Sequence, residues 1–314
     1  MLRLSRVLGA LLLAAFCGRG QETPVFRADT RLVLLHASVL DRHGRLLTDL
    51  PQKAFKVYED GVEQQIKLFR REDIPVAMGL VIDSSGSMRD KRQKVEKAAL
   101  ALVKASNPQD QVFIVNFNDE AFLDTPFTND IKKMEEGLAQ IDSRGGTAMR
   151  DALSLAIDYM KDEAKLDKKV IVVITDGNDN SSSIPLERLV KKAHDSEVLI
   201  YAIGLLSEEE RREAKRAKRA LDALTSASGG LAYYPKEVDE VQHIALQVAH
   251  EIRNQYVIGY TPSRQELDGT FRKIRVTVDG PGRPTVRTRS GYYATPEPPR
   301  KATSMRPARE ADGR

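Results

Sequence analysis

Apolar runs that alternate with amphipathic helical patterns constrain the fold of this chain more than any other feature. The runs cover residues 76–82, 111–117, 169–175 and 198–203, and the helical patterns cover 91–105, 130–141, 149–161 and 185–196. Strands that are apolar along almost their whole length are buried on both faces, and helices between successive strands supply that cover. We therefore predict an α/β domain over residues 74–235, with a doubly wound, mainly parallel, Rossmann-like sheet.

Short β-type runs separated by turns lie on both sides of this domain. They occupy residues 25–73 and, after a charged helix over 208–228 and an amphipathic helix over 238–253, the stretch up to residue 295. Residues 62–68 alternate polar and apolar side chains, which predicts one half-buried antiparallel strand. Each set of strands alone would leave its edges unpaired. We predict that both sets form one small β-sandwich, segment 236–295 pairing with 25–73, and that the α/β domain is inserted between them.

The two ends of the chain have compositions unlike the rest. Arg3 and Arg6 precede a short apolar run and small residues, which is typical of a secretory signal peptide over residues 1–20, and the run is too short to span a membrane. We therefore expect a secreted, periplasmic or cell-envelope protein. Cys17 is the single cysteine, so it is either removed with the signal or becomes a lipid anchor, and no internal disulfide forms. Residues 296–314 predict a disordered tail.

The charge of the chain gives no support to a nucleic-acid partner. The net charge of +4 includes three arginines of the predicted signal, so the mature chain carries +1. The basic stretch over residues 211–219 includes Glu213 and follows three glutamates, which favours a solvated helix face with ion pairs.

Three short polar loops lie at strand or helix ends of the predicted domain. Asp83, Ser85 and Ser87 follow the first apolar run, Gly145-Gly146-Thr147 precedes a helix, and Thr175-Asp176-Gly177 closes another core strand. Each loop alone is explained as a helix cap or a turn. Ligands of open α/β sheets, however, bind at the carboxyl ends of the strands. The combination of three such loops in one sheet favours a shared site.

The three loops resemble the metal-ion-dependent adhesion site of von Willebrand factor A domains. That site combines, in the same order along the chain, an Asp-x-Ser-x-Ser loop, a Gly-Gly-Thr loop and a Thr-Asp-Gly loop. The resemblance covers about residues 74–235. It implies a metal site made by Asp83, Ser85, Ser87, Thr147 and Asp176, with the hydroxyls bound directly and the aspartates bound directly or through water. The flanks at residues 55–61, 255–262 and 289–292 are similar to those of a group of exported bacterial proteins related to these domains.

The donor types independently favour a hard cation. Hydroxyl and carboxylate oxygens without nearby histidine or cysteine suit Mg²⁺, with Mn²⁺ as a substitute, and Ca²⁺ is less favoured because it takes more oxygen ligands. Further acids, Asp119, Asp124, Asp130 and Asp179, are close to the same loops and are interpreted as ordinary exposed loop acids rather than as a second ion site. The loop over residues 178–183 is a candidate specificity surface.

We predict from these features a monomeric binding module, which captures an Asp or Glu side chain of an unidentified protein partner at its magnesium ion. One alternative is a structural or assembly role in an envelope complex, in which the ion only stabilises the loops. An enzyme is a third possibility, but the sequence shows no convincing nucleophile–base pair. The five histidines, His36, His43, His194, His243 and His250, are scattered away from the polar loops.

Overall fold

The computed structural model describes residues 32–71, 73–139, 143–177, 179–207, 211–280 and 282–296. The predicted signal peptide and almost all of the predicted tail lie outside these residues. The strands are β1 (Val33–Leu40), β2 (Phe55–Glu59), β3 (Val62–Gln64), β4 (Ile66–Arg70), β5 (Val76–Asp83), β6 (Gln111–Phe117), β7 (Ala121–Thr128), β8 (Lys168–Thr175), β9 (Leu199–Gly204), β10 (Ala232–Tyr233), β11 (Tyr256–Tyr260), β12 (Phe271–Val278), β13 (Thr285–Arg287) and β14 (Gly291–Tyr293). The helices are α1 (Arg92–Lys104), α2 (Ile131–Ala139), α3 (Met149–Glu163), α4 (Leu186–Ser196), α5 (Arg211–Ser228) and α6 (Val241–Arg253).

The central sheet has the order β10-β9-β8-β5-β6-β7, and only its edge strand β7 is antiparallel to its neighbour. One face is covered by α1, α2 and α6, and the opposite face is covered by α3, α4 and α5. Strands β5 and β9 are buried at every position because helices pack on both sides. The predicted doubly wound, mainly parallel α/β fold is therefore confirmed.

Two four-stranded antiparallel sheets accompany the α/β domain. Their orders are β13-β1-β11-β4 and β14-β12-β2-β3, so each sheet combines strands from both ends of the described chain. In the first sheet Leu35 pairs with Ile258, and in the second Val57 pairs with Val276. Side chains of both sheets share one apolar core. The predicted pairing of N- and C-terminal strands around an inserted domain is confirmed.

The prediction of one continuous strand over residues 62–68 is wrong. The segment forms β3 and β4, which belong to different sheets and are separated at Gln65. Gln64 is buried at this crossing, where its side-chain oxygen accepts a hydrogen bond from the backbone N–H of Ser263 at 2.9 Å. Gln64 is a buried, inward position within a run of three polar residues, and its polar group is satisfied locally.

Helix α6 connects the central sheet to the sandwich and ends in a buried polar network. The carboxylate of Glu251 accepts hydrogen bonds from Ser38 and Tyr201, each at 2.9 Å, and from Tyr233 at 3.2 Å. Arg287 of β13 forms an ion pair with the same carboxylate at 2.5 Å. Glu251 thus joins the first and thirteenth strands to the central sheet.

A small cavity of about 30 Å³ lies near this junction and is lined by His36. Its other ionisable lining residues are Asp167, Glu197 and Arg289. Burial, and then the positive charges of Lys168, Arg289 and Arg70, lower the pKa of His36 from 6.5 to about 3. Nδ1 of His36 has no hydrogen-bond partner in the described part of the chain. The folded protein therefore holds this imidazole neutral.

Candidate functional site

The candidate site lies at the carboxyl end of the central sheet, between β5 and β8. These strands are parallel neighbours, and their register pairs Ile82 with Ile174. Asp83, the last residue of β5, therefore lies beside Thr175, the last residue of β8, and Asp176 follows directly. The strand order brings together two loops that are more than ninety residues apart in sequence.

The first loop turns sharply after β5. Asp83 Oδ1 accepts a hydrogen bond from the backbone N–H of Ser85 at 2.8 Å, and a short 3₁₀ helix follows over Gly86–Met88. The hydroxyl oxygens of Ser85 and Ser87 lie 3.1 Å apart. Ser87 donates a hydrogen bond to Asp176 Oδ1 at 2.8 Å. These contacts place Asp83, Ser85, Ser87 and Asp176 in one cluster.

Thr175 positions Asp83, a role that sequence reasoning did not assign. Its hydroxyl donates a hydrogen bond to Asp83 Oδ2 at 2.5 Å, and its side chain is fully buried. Burial raises the pKa of Asp83 to about 6, although hydrogen bonds from Ser85 and Thr175 act in the opposite direction. This contact could have been predicted from the sequence, because the carboxyl ends of two neighbouring parallel strands lie side by side.

The Gly-Gly-Thr loop reaches the cluster from the other side. The backbone N–H of Gly86 donates to the carbonyl of Gly145 at 3.1 Å, which joins this loop to the serine loop. Thr147 is buried, and its hydroxyl oxygen lies 3.4 Å from the position that a Cβ on Gly177 would take. The side-chain oxygen of Asn180 accepts a hydrogen bond from the backbone N–H of Thr147 at 2.9 Å. The structure thus brings all three predicted loops together.

Asp119 holds the Gly-Gly-Thr loop in place. Its Oδ1 accepts a hydrogen bond from the backbone N–H of Gly146 at 2.8 Å. Gly145 has a φ of +76°, and a Cβ there would lie 2.0 Å from Asp119 Oδ2. Glycine is therefore required at position 145 both by its left-handed backbone and by the close approach of Asp119.

The other acids near the rim also have local partners. Asp124 accepts a hydrogen bond from Asn116, and Asp130 accepts one at 3.0 Å from the backbone N–H of Lys132 at the start of α2. Asp179 forms an ion pair with Arg150 at 3.1 Å. Within the described ranges, no group of three or more His, Cys, Asp or Glu side chains is arranged to hold a metal ion. The contacts that the structure gives these acids are local ones.

Lys91 is the second residue of the cluster that sequence reasoning missed. Its ammonium group forms an ion pair with Asp176 Oδ2, and the side chain of Asp176 is only 1% exposed. Lys91 immediately precedes α1, so the helix start turns its side chain back toward the loops. A cation therefore already lies against the predicted oxygen ligands.

The residues present fit a hard divalent cation. The donor set consists of three hydroxyls and two carboxylates, and Lys91 shows that the cluster accommodates positive charge. The histidines lie in other surroundings: His36 lines the cavity, His194 packs edge-on against Phe271 with ring centroids 4.8 Å apart, and His250 contacts Asn254. Oxygen donors without imidazole or thiolate are typical ligands of Mg²⁺, Mn²⁺ or Ca²⁺.

Comparison with known proteins supports this assignment at the level of the domain. Residues 78–178 match the von Willebrand factor type A domain, so the chain contains a domain of this type. Such domains generally take part in protein–protein interaction and adhesion, and they bind a divalent metal at the adhesion site.

Two relatives illustrate how far the sequence similarity extends. A protein of Borreliella burgdorferi, described as uncharacterized, is 27% identical over 214 residues, which is 66% of this chain and 60% of that protein. Mouse integrin alpha-11 is 32% identical over 112 residues, which is 33% of this chain and 9% of the integrin. The chain thus spans less than two thirds of the length of these relatives.

A solved structure shares the fold of the α/β region. Proximal thread matrix protein 1 from the mussel byssus, with a zinc-occupied adhesion-site motif, superposes with a TM-score of 0.50 at 17% identity. The superposition covers 60% of this chain and 48% of that one.

Within the part of this chain that the structure describes, no helix has the length and apolar character needed to cross a membrane.

Proposed function

We propose that the chain is an extracytoplasmic, metal-dependent protein-binding module. In this proposal Mg²⁺ is held by Asp83, Ser85, Ser87, Thr147 and Asp176, and an Asp or Glu side chain of a protein partner completes the site. The observation that carries the proposal is the convergence of three separate loops on one group of oxygen donors at the end of the parallel sheet.

The chemistry of the donors supports capture of a carboxylate. When bound, the ion supplies a positive charge that attracts an anionic ligand, and three of its five proposed protein ligands are neutral hydroxyls. Thr175 holds Asp83 in the orientation that faces the serine loop. Arg89 and Arg92 line a groove beside this loop, where they add positive charge, although Asp90 and Glu96 line the same groove.

A thermal melt of the full chain tests the metal site. We expect Mg²⁺ or Mn²⁺ to raise the melting temperature relative to chelator, because a ligand at about 100 times its Kd stabilises the native state by about 2.7 kcal/mol. Asp83→Ala should abolish the shift. Asp130→Ala is the matched control, since Asp130 only caps α2, and it should keep the shift. The absence of a shift with every ion would contradict the proposal.

Partner capture needs a separate test. Immobilised protein should retain an acidic partner in the presence of Mg²⁺ and release it on chelation. If a confirmed partner stays bound in chelator, the carboxylate-capture proposal is wrong even when the melt detects metal.

A scaffold role in an envelope complex is the second candidate. It is favoured by the buried network around Glu251, which fixes the α/β domain to strands from both ends of the described chain. In that case the ion only stiffens the loops. Folded Asp83→Ala protein would then melt at a lower temperature but retain its partner.

A further inference from the structure

We propose that Lys91 is an internal cation that competes with the divalent ion for Asp176 and so weakens metal binding. This inference rests on the proposed metal site. Its starting observation is the ion pair between the Lys91 ammonium and Asp176 Oδ2, in which the carboxylate side chain is 1% exposed and the lysine side chain is 27% exposed.

Both oxygens of Asp176 have protein partners in the structure. Oδ1 accepts the hydrogen bond from Ser87 at 2.8 Å, and Oδ2 is paired with Lys91. A buried carboxylate without a counter-charge is costly, and Lys91 supplies that counter-charge to Asp176. A divalent ion bound to the same carboxylate repels the ammonium, because like charges at this range and in partly buried surroundings interact strongly. Metal binding must therefore displace Lys91 or tolerate its repulsion.

The helix itself gives no reason for a lysine at this position. Lys91 occupies the N-cap position of α1 without a capping hydrogen bond from its side chain, and the positive end of the helix dipole makes a cationic side chain unfavourable there. The charge is therefore balanced by Asp176 and not by the helix. The 27% exposure of the side chain also leaves it a route toward solvent when an ion takes its place.

Replacement of the lysine tests the competition directly. In Lys91→Met the full chain should melt at a lower temperature without metal and should bind Mn²⁺ more tightly, with a Kd reduced about tenfold or more, since one repulsive charge is removed. Free Mn²⁺ is measured by electron paramagnetic resonance during titration. Lys91→Arg retains the charge and should keep a Kd close to that of the wild type.

Lys94→Met is the matched control on the same helix. Lys94 pairs with the exposed Asp239 at 2.7 Å, away from the oxygen donors, and its replacement should leave the Mn²⁺ Kd unchanged. If Lys91→Met does not fold, Lys91→Gln keeps a hydrogen-bond donor for Asp176 without the charge and should show the same tightening.

The outcomes separate this inference from the proposed function. A wild type that binds Mn²⁺, together with Lys91 variants that bind it no more tightly, overturns the competition and leaves the metal site standing. Failure of both wild type and variants to bind Mn²⁺ overturns the metal site and the role of Lys91 with it.

Discussion

Loss of the charge on Glu251 should destabilise the α/β domain and the sandwich together. Glu251→Gln preserves the size of the side chain and an oxygen for Ser38 and Tyr201, but it leaves Arg287 without its counter-charge. Removal of one partner of a buried ion pair costs about 3–5 kcal/mol. The Arg287 side chain is 17% exposed, so water compensates in part, and we expect a loss of about 2–3 kcal/mol.

Urea unfolding followed by far-UV circular dichroism measures this loss, since the chain has no tryptophan for fluorescence. The midpoint should fall while the slope of free energy against urea stays unchanged. A double-mutant cycle with Arg287→Gln isolates the ion pair and should give a coupling of about 2 kcal/mol. Tyr233→Phe is the control: it removes the hydroxyl that bonds to Glu251 and Arg287 but leaves the ion pair between them in place, with an expected cost of about 0.5–1.5 kcal/mol.

The reasoning is refuted if Glu251→Gln costs less than about 1 kcal/mol, the usual value of one ordinary hydrogen bond. Two separate unfolding transitions in the variant would be a different result, because they would show that Glu251 couples two regions that are each stable alone. A single transition at lower urea is the expected outcome.

Two further perturbations test the loop and the cavity. Gly145→Ala should weaken Mn²⁺ binding and lower stability more than Gly44→Ala does. Both glycines have φ near +77°, but only at Gly145 would a Cβ lie against Asp119. Equal effects of the two substitutions would mean that backbone strain alone is responsible. The contribution of His36 to stability should fall as the pH drops from about 6.5 toward 3, by at most about 1.4 kcal/mol per pH unit, because the unfolded chain protonates His36 while the folded chain does not. The raised pKa of Asp83 acts in the opposite direction, so the His36 contribution is measured as the difference between wild type and His36→Gln in urea unfolding between pH 6 and 4, with the exposed His243→Gln as the control substitution.

Sequence patterns predicted the central sheet because burial of a strand on both faces determines the residue types of that strand itself. A strand buried on both faces has to be apolar at nearly every position, so β5, β6, β8 and β9 are visible without tertiary information. Strand β7 was not predicted: it contains Pro126 and has exposed positions, as is usual for an edge strand. Strand β10, with two residues, is too short for any periodic pattern.

The candidate site was predicted in its loops but not in its supporting contacts. Asp83, Thr147 and Asp176 stand in local motifs, whereas their partners are determined by tertiary structure. Lys91 contacts a carboxylate 85 positions away, and nothing in its own sequence context indicates that contact. Asp119 was interpreted only as an exposed acid, because its bond to the backbone of residue 146 depends on how two loops pack.

The packing of α1 and α6 links the candidate site to the rest of the molecule. Helix α1 begins beside Lys91 and packs with α6 in the same apolar core. The end of α6 is fixed by Glu251, by the Lys168 ammonium bonded to the carbonyl of Ile252, and by the ion pair between Arg253 and Asp73. Sliding of α6 along α1 would break these polar contacts, of which those of Glu251 and Lys168 are buried.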